Sequence, residues 1–160
     1  MKSVVCFGDS NTYGHNPVNG ERLPESVRWP CLLQGLLGDG YKVIEEGLNG
    51  RTTVFDDPND DWKNGIDYIK GILCTHRPVD YLIIMLGTND MKTVYNASPD
   101  AIANGLNEIV SKAESVMKLF DKVYSLSSKG LVLSAYTPTY GGVAEAVLKM
   151  CIGNGYGFKY

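Results

Sequence analysis

The chain has 160 residues, enough for one domain around one hydrophobic core. At 44% hydrophobic and 21% charged residues it has the balance of a folded soluble protein and is too apolar for a disordered one. A net charge of −3 gives no basic field for a phosphate backbone, and no apolar run approaches the ~18–20 residues needed to cross a bilayer, so neither nucleic acid nor membrane is an expected partner. The cysteines Cys6, Cys31, Cys74 and Cys151 form no C-x-x-C pair and read as reduced thiols, not as disulfides or zinc ligands. Lys2 precedes an apolar run, but that run stops at Gly8, short of the ~7–15 residues of an export signal; a cytoplasmic location is expected.

Val4 to Phe7 is a short β-branched run closed by glycine and predicts a buried parallel strand. A polar loop follows. Arg28 to Leu37 predicts a helix, with Trp29, Leu32, Leu33, Leu36 and Leu37 at helical spacing and Pro30 in its first turn. Gly38-Asp39-Gly40 ends it, and Tyr41 to Glu46 is the second strand. Ile66, Ile69, Ile72 and Leu73 mark the next helix, which stops before Pro78. Tyr81 to Leu86 is apolar throughout and predicts the third strand. Ser98-Pro99-Asp100 has the form of a helix start, followed by one apolar face through Ile102, Leu106, Ile109, Val110, Ala113 and Met117. Leu131 to Leu133 predicts a fourth strand and Val143 to Cys151 a last helix.

Strands alternating with helices imply one α/β domain over residues 1–160: a flavodoxin-like three-layer sandwich whose parallel sheet has the order 2-1-3-4 and lacks a fifth strand. The fourth strand is then a poorly covered edge that favours self-association as a homo-oligomer.

The polar punctuation falls directly after three strands, where ligands gather in open α/β sheets. In Gly8-Asp9-Ser10-Asn11-Thr12 the glycine permits a tight turn and Ser10 stands at the mouth of the next segment, its N–H available to an oxyanion. Helix capping by Asp9 or Ser10 is the structural alternative. In Gly47-Leu48-Asn49-Gly50-Arg51-Thr52-Thr53, Gly50 offers a backbone N–H with no side chain in the way, or is a plain turn glycine. In Gly87-Thr88-Asn89-Asp90 the Asn89 carboxamide is a further donor, or part of a polar turn. Asp9 reads as a brace for its loop. Together with the flanking Asn11 and Arg51 it is placed among the expected substrate contacts.

These three blocks, in this order, resemble those of the SGNH hydrolases, also called the GDSL family of esterases and lipases. Arg28-Trp29, Ile44-Glu45-Glu46-Gly47-Leu48, Arg51-Thr52-Thr53 and Ile83-Ile84-Met85-Leu86-Gly87-Thr88-Asn89-Asp90 are similar to the arylesterase and acyltransferase branch. The resemblance covers residue 2 to about Pro138. It implies Ser10 as nucleophile, with Ser10 N–H, Gly50 N–H and the Asn89 side chain as oxyanion hole, and small acyl esters as substrates.

The family's last block, Asp-x-x-His, has no counterpart: the histidines are His15 and His76, and no Asp follows Asp121. His76 is expected on the surface at the end of the sheet opposite Ser10. His15 lies in the loop after Ser10, with Glu21 or Asp56 as candidate partners, and is the remaining candidate base. The run Asp56-Asp57-Pro58-Asn59-Asp60-Asp61 lacks calcium-loop spacing and reads as a solvated loop, so neither metal nor cofactor is expected. Tyr13, Trp29 and Trp62 line an acyl pocket or pack within their loops. Beside the serine ester hydrolase or acyltransferase stand a non-catalytic binder of acyl esters or proteins and a flavodoxin-like signalling domain. The last is disfavoured because these strand ends carry Ser, Gly and Asn instead of clustered acids.

Overall fold

A computed structural model describes residues 1–129. The chain divides into two units, Met1–Lys118 and Leu119–Tyr160, and the sheet and candidate site belong to the first. The elements are β1 (Lys2–Gly8), α1 (Ser10–Tyr13), α2 (Trp29–Leu37), β2 (Tyr41–Gly47), α3 (Gly65–Thr75), β3 (Tyr81–Met85) and α4 (Pro99–Ser128). The described strands form a parallel sheet of order β2-β1-β3. This is the α/β, flavodoxin-like arrangement that the alternation implies. The predicted strand at Leu131 to Leu133 and helix at Val143 to Cys151 lie outside the described residues.

β1 is the central strand, and Val4, Val5, Cys6 and Phe7 are all buried as a consequence. The same burial pushes the Cys6 thiol up to about 11. Ile69 and Leu73 of α3 are fully buried. On α4, Gly105, Ile109, Ala113 and Val116 form the buried stripe, spaced as a single helical face requires. Lys112 Nζ donates to the Ile66 carbonyl (2.6 Å) and ties α4 to the first turn of α3.

α2 is fastened to β2 by polar contacts. Arg28, at its N-cap, donates from Nε and Nη2 to the two Glu45 carboxylate oxygens (2.9 and 3.0 Å) and from Nη1 to the Leu23 carbonyl (2.8 Å). Gln34 pairs with β2 as a strand would: its Oε1 accepts from Val43 N–H (2.7 Å) and its Nε2 donates to the Tyr41 carbonyl (3.1 Å). The periodic leucines of this helix do not all turn inward. Leu32 is 49% and Leu36 85% exposed, because the stripe is wider than the contact with β2.

Two further differences from the sequence reading concern β3 and α4. Tyr81, Ile83 and Met85 are exposed while Leu82 and Ile84 are half-buried, since β3 borders the described sheet and is covered more on one face than the other. α4 runs to Ser128, past Met117, and Val110 lies on its exposed side.

Candidate active site

β1 and β2 both end on glycine, and α1 is the reason. A Cβ on Gly47 would stand 2.1 Å from Tyr13 N and 2.5 Å from the Thr12 carbonyl carbon, so the backbone of α1 rests directly on the end of β2. Gly8 is equally crowded, with Thr12 Oγ1 at 2.1 Å from its Cβ position. Its role is close packing, and the tight turn follows from it.

The polar loop after β1 begins with the short helix α1, which the sequence reading left as loop. Asp9 is its N-cap: Oδ1 accepts from Asn11 N–H (2.9 Å) and from Asn11 Nδ2 (3.1 Å). The capping alternative is therefore realised by Asp9, and it fixes Ser10 as the first helical residue. Ser10 is half-buried and Asn11 is exposed.

The loop after β2 folds back under this turn. Gly50 adopts φ +81°, a left-handed conformation natural to glycine. Arg51, next to it, is 5% exposed. Its Nη1 donates to the Gly8 carbonyl (3.0 Å) and to the Glu46 carbonyl, and its guanidinium lies 4.2 Å from the Phe7 ring centre. Burial lowers its pKa to about 10, so it remains charged at neutral pH.

The loop after β3 supplies Asn89, itself 7% exposed. Asn89 Nδ2 donates to the Arg51 carbonyl (3.1 Å) and lies 3.5 Å from Asp9 Oδ2. One carboxamide thus spans the residue after Gly50 and the residue before Ser10. Asp90 is fully buried below it and accepts from Thr53 N–H (2.9 Å) and Thr53 Oγ1, which joins the second and third loops again.

Asp9 and Arg51 were expected at the substrate. Both are buried: Asp9 Oδ1 and Arg51 Nη1 are engaged by the protein, while Arg51 Nε is buried without a hydrogen-bond partner. Asn11 is the exposed member of that set.

His76 is not a free surface group: Nε2 lies 2.5 Å from Glu46 Oε1, with both side chains 25% exposed, so α3 brings its C-terminus to the side of β2. His15 follows α1 with its N–H on the Ser10 carbonyl (2.9 Å), and it bridges to Arg22. Its Nδ1 is buried without a hydrogen-bond partner. Tyr13 carries the Arg22 guanidinium at 4.7 Å from its ring centre, Trp29 is half-buried and Trp62 is 50% exposed.

The acidic run is bound into the fold more closely than a solvated loop. Asp56 Oδ1 accepts from Asn64 Nδ2 (2.8 Å), Asp57 Oδ2 accepts from Lys63 Nζ (3.2 Å) and Tyr95 Oη (2.8 Å), and Asp60 pairs with Lys63. Lys63 and Tyr95 escaped the sequence reading. The available signal was a lysine at the end of the run, three residues from Asp60 and six from Asp57. A groove of about 450 Å³ between α2 and β2, lined by Pro30, Cys31, Leu32 and Glu45 among others, contains none of the candidate residues.

Among the described residues no helix is long and apolar enough to cross a membrane. The profile of the GDSL-like lipase/acylhydrolase family matches residues 6–148. A carbohydrate acetylesterase of known structure from Sinorhizobium meliloti is 47% identical, with a TM-score of 0.69 over 70% of this chain and 54% of that one. The aryl esterase of M. smegmatis is 46% identical, with a TM-score of 0.68 over the same shares. An acetylxylan esterase of Xylanibacter ruminicola is 35% identical over 94 residues, 56% of this chain and 17% of that protein. The chain therefore spans about half the length of these solved relatives. With serine, glycine and asparagine blocks at successive strand ends and a profile match over most of its length, the chain belongs to the GDSL-like lipase/acylhydrolase family, a family of ester hydrolases.

Proposed function

We propose that this chain carries the nucleophile and oxyanion side of a serine ester hydrolase acting on small acyl esters, acetyl esters first among them. Ser10 Oγ attacks the acyl carbonyl, and Ser10 N–H, Gly50 N–H and Asn89 Nδ2 receive the negative charge that develops on its oxygen. Transfer of the acyl group to an acceptor other than water uses the same intermediate. The observation that carries this reading is the Asn89 carboxamide, which reaches Arg51 O and approaches Asp9 and so draws the three strand-end loops to one edge of the sheet. The names of the relatives, an acetylesterase, an aryl esterase and an acetylxylan esterase, support the substrate class.

Asn11 is the proposed substrate contact, with Asp9 and Arg51 as its support. The cytoplasm is the proposed location. In the described residues His76 is engaged by Glu46, the backbone N–H of His15 donates to the Ser10 carbonyl, and no hydrogen bond joins either imidazole to the Ser10 hydroxyl. Without a base, serine hydrolases retain roughly 10³–10⁴-fold over water from binding and oxyanion stabilisation. Residues 1–160 alone are accordingly expected to hydrolyse p-nitrophenyl acetate feebly, with Ser10→Ala changing the rate only modestly. Vigorous hydrolysis abolished by Ser10→Ala would mean that a base is present, with His15→Ala as the next variant. No hydrolysis above buffer, with acyl esters still bound, would favour a non-catalytic binder.

A further inference from the structure

The loop between β2 and α3 holds a charged cluster that touches the candidate site at one point. Lys63 Nζ pairs with Asp57 (3.2 Å) and with Asp60. Asp57 Oδ2 also accepts the Tyr95 hydroxyl (2.8 Å), and its Oδ1 accepts Asn59 N–H (3.0 Å). The Tyr95 ring packs on Phe55 at 5.9 Å. The Lys63 and Asp57 side chains are only 19% and 10% exposed, so the fold has drawn both charges largely out of water and given each a partner.

Lys63 is the member that reaches Gly50. Its Cε, Cδ and Nζ lie 3.0, 3.1 and 3.6 Å from the position a Gly50 Cβ would occupy. Gly50 has no side chain of its own to fix its peptide, and its φ of +81° lies in a region where glycine moves freely. The Arg51 N–H, which donates to the Leu48 carbonyl (3.1 Å), closes the turn around Gly50, and the freedom left to the Gly50 peptide is limited by what packs against it.

We propose that Lys63 is a positioning residue for Gly50: its methylene stem packs on the glycine while Asp57 and Asp60 tether its ammonium. Tyr95 orients Asp57, so the loop after β3 takes part in the tether. The proposal rests on the reading of Gly50 N–H as an oxyanion donor. With two carboxylates on one ammonium the cluster has no spare positive charge, which makes the contribution geometric and not a direct stabilisation of the oxyanion. The tether is insensitive to pH near neutrality. Asn59 N–H, Tyr95 and Lys63 hold the Asp57 carboxyl down at about 2, and burial together with Asp57 pushes Tyr95 up to about 12.

The test compares Lys63→Met, which keeps the stem and removes the tether, with Lys63→Arg, which keeps both. Two quantities are read on the full chain: kcat and KM for p-nitrophenyl acetate, and hydrogen exchange of the Gly50 amide by NMR. A donor displaced rather than deleted costs roughly tenfold in rate. Lys63→Met is therefore expected to lower kcat about tenfold at unchanged KM and to speed Gly50 exchange, and Lys63→Arg to restore both. Wild-type kcat and Gly50 exchange in Lys63→Met overturn the proposal. So does a loss shared equally by the Arg variant, which would mark a general packing role. Where hydrolysis is too slow to compare, Gly50 exchange alone decides. Asn89→Ala separates the two levels: if it leaves hydrolysis unchanged the oxyanion reading itself fails, and if it slows hydrolysis while Lys63→Met does not, only the role of Lys63 falls.

Discussion

Adding one methyl group at Gly47 is predicted to damage this protein more than any other glycine-to-alanine change outside the two strand ends. The new Cβ would stand 2.1 Å from Tyr13 N, 2.5 Å from the Thr12 carbonyl carbon and 2.6 Å from Tyr13 Cα, against about 3.4 Å for ordinary contact. All three atoms are backbone, so no rotamer change relieves the clash. Either the end of β2 or the helix that begins with Ser10 must move by about 1 Å. The first choice breaks the pairing Gly8↔Gly47 at the end of the sheet; the second displaces Ser10, the proposed nucleophile. Overpacking of a rigid site costs about 3 kcal/mol or more. Gly71→Ala is the matched control: it makes the same chemical change inside α3, with nothing within 4 Å of the new Cβ and no positive φ. There the helix gains about 0.5–1 kcal/mol from the better former. Urea unfolding of the two variants should therefore move the midpoint in opposite directions. Equal midpoints for Gly47→Ala and the parent would refute the claim that α1 rests on β2.

Glu45→Gln removes the close counter-charge of the buried Arg28 guanidinium and leaves it only the exposed Glu25 at 3.6 Å; since Glu45 is 20% exposed, a loss of about 2–3 kcal/mol is expected in urea unfolding, below the figure for fully buried pairs. The Arg28 hydrogen bonds hold the Glu45 carboxyl below its usual range, so its share of stability is present above the unfolded value of about 4.3 and is lost as pH falls through the lower folded value. In Glu45→Gln that acid-limb loss should shrink, which a pH series of unfolding midpoints measures. Asn89→Ala removes the donor to the Arg51 carbonyl and is expected to cost about 1–2 kcal/mol and to lower esterase turnover by roughly 10²-fold or to the buffer rate.

The features legible in sequence were those set by local pattern. Val4 to Phe7 and Tyr81 to Leu86 stand out because contiguous apolar runs closed by glycine have few other uses, and Tyr41 to Glu46 because it lies between Gly40 and Gly47 around the β-branched pair Val43-Ile44. Their alternation with helices implied parallel pairing, and the expected flavodoxin-like placement of strand 1 between strands 2 and 3 is the order found in the described sheet. Helical periodicity placed α2 but does not tell how wide a strip β2 covers, and Leu32 and Leu36, which share the helical spacing, are exposed. Contacts between distant segments were not legible. His76 meets Glu46 because α3 ends beside β2, and Tyr95 meets Asp57 because two loops converge. Neither pairing leaves a trace in spacing. Ser10, Gly50 and Asn89 stand out as candidates because each sits within a few residues of a strand's end, while the loop contacts that hold them depend on the tertiary fold.

Arg51 explains why polar residues at strand ends divide into two kinds. A guanidinium buried to 5% exposure loses its hydration, and the drop of its pKa to about 10 records that loss. The compensation is local: the carbonyls ending β1 and β2 accept from Nη1, the Phe7 ring lies against the charge, and Asp9 and Glu46 lend negative potential. The side chain thereby clamps the two strands whose loops carry Ser10 and Gly50, and its own carbonyl receives Asn89. A residue that only touched substrate would have no need of burial, and one that only paired strands would have no need to lie beside Gly50. Charge and position together make Arg51 the joint through which the sheet sets the spacing of all three proposed donors.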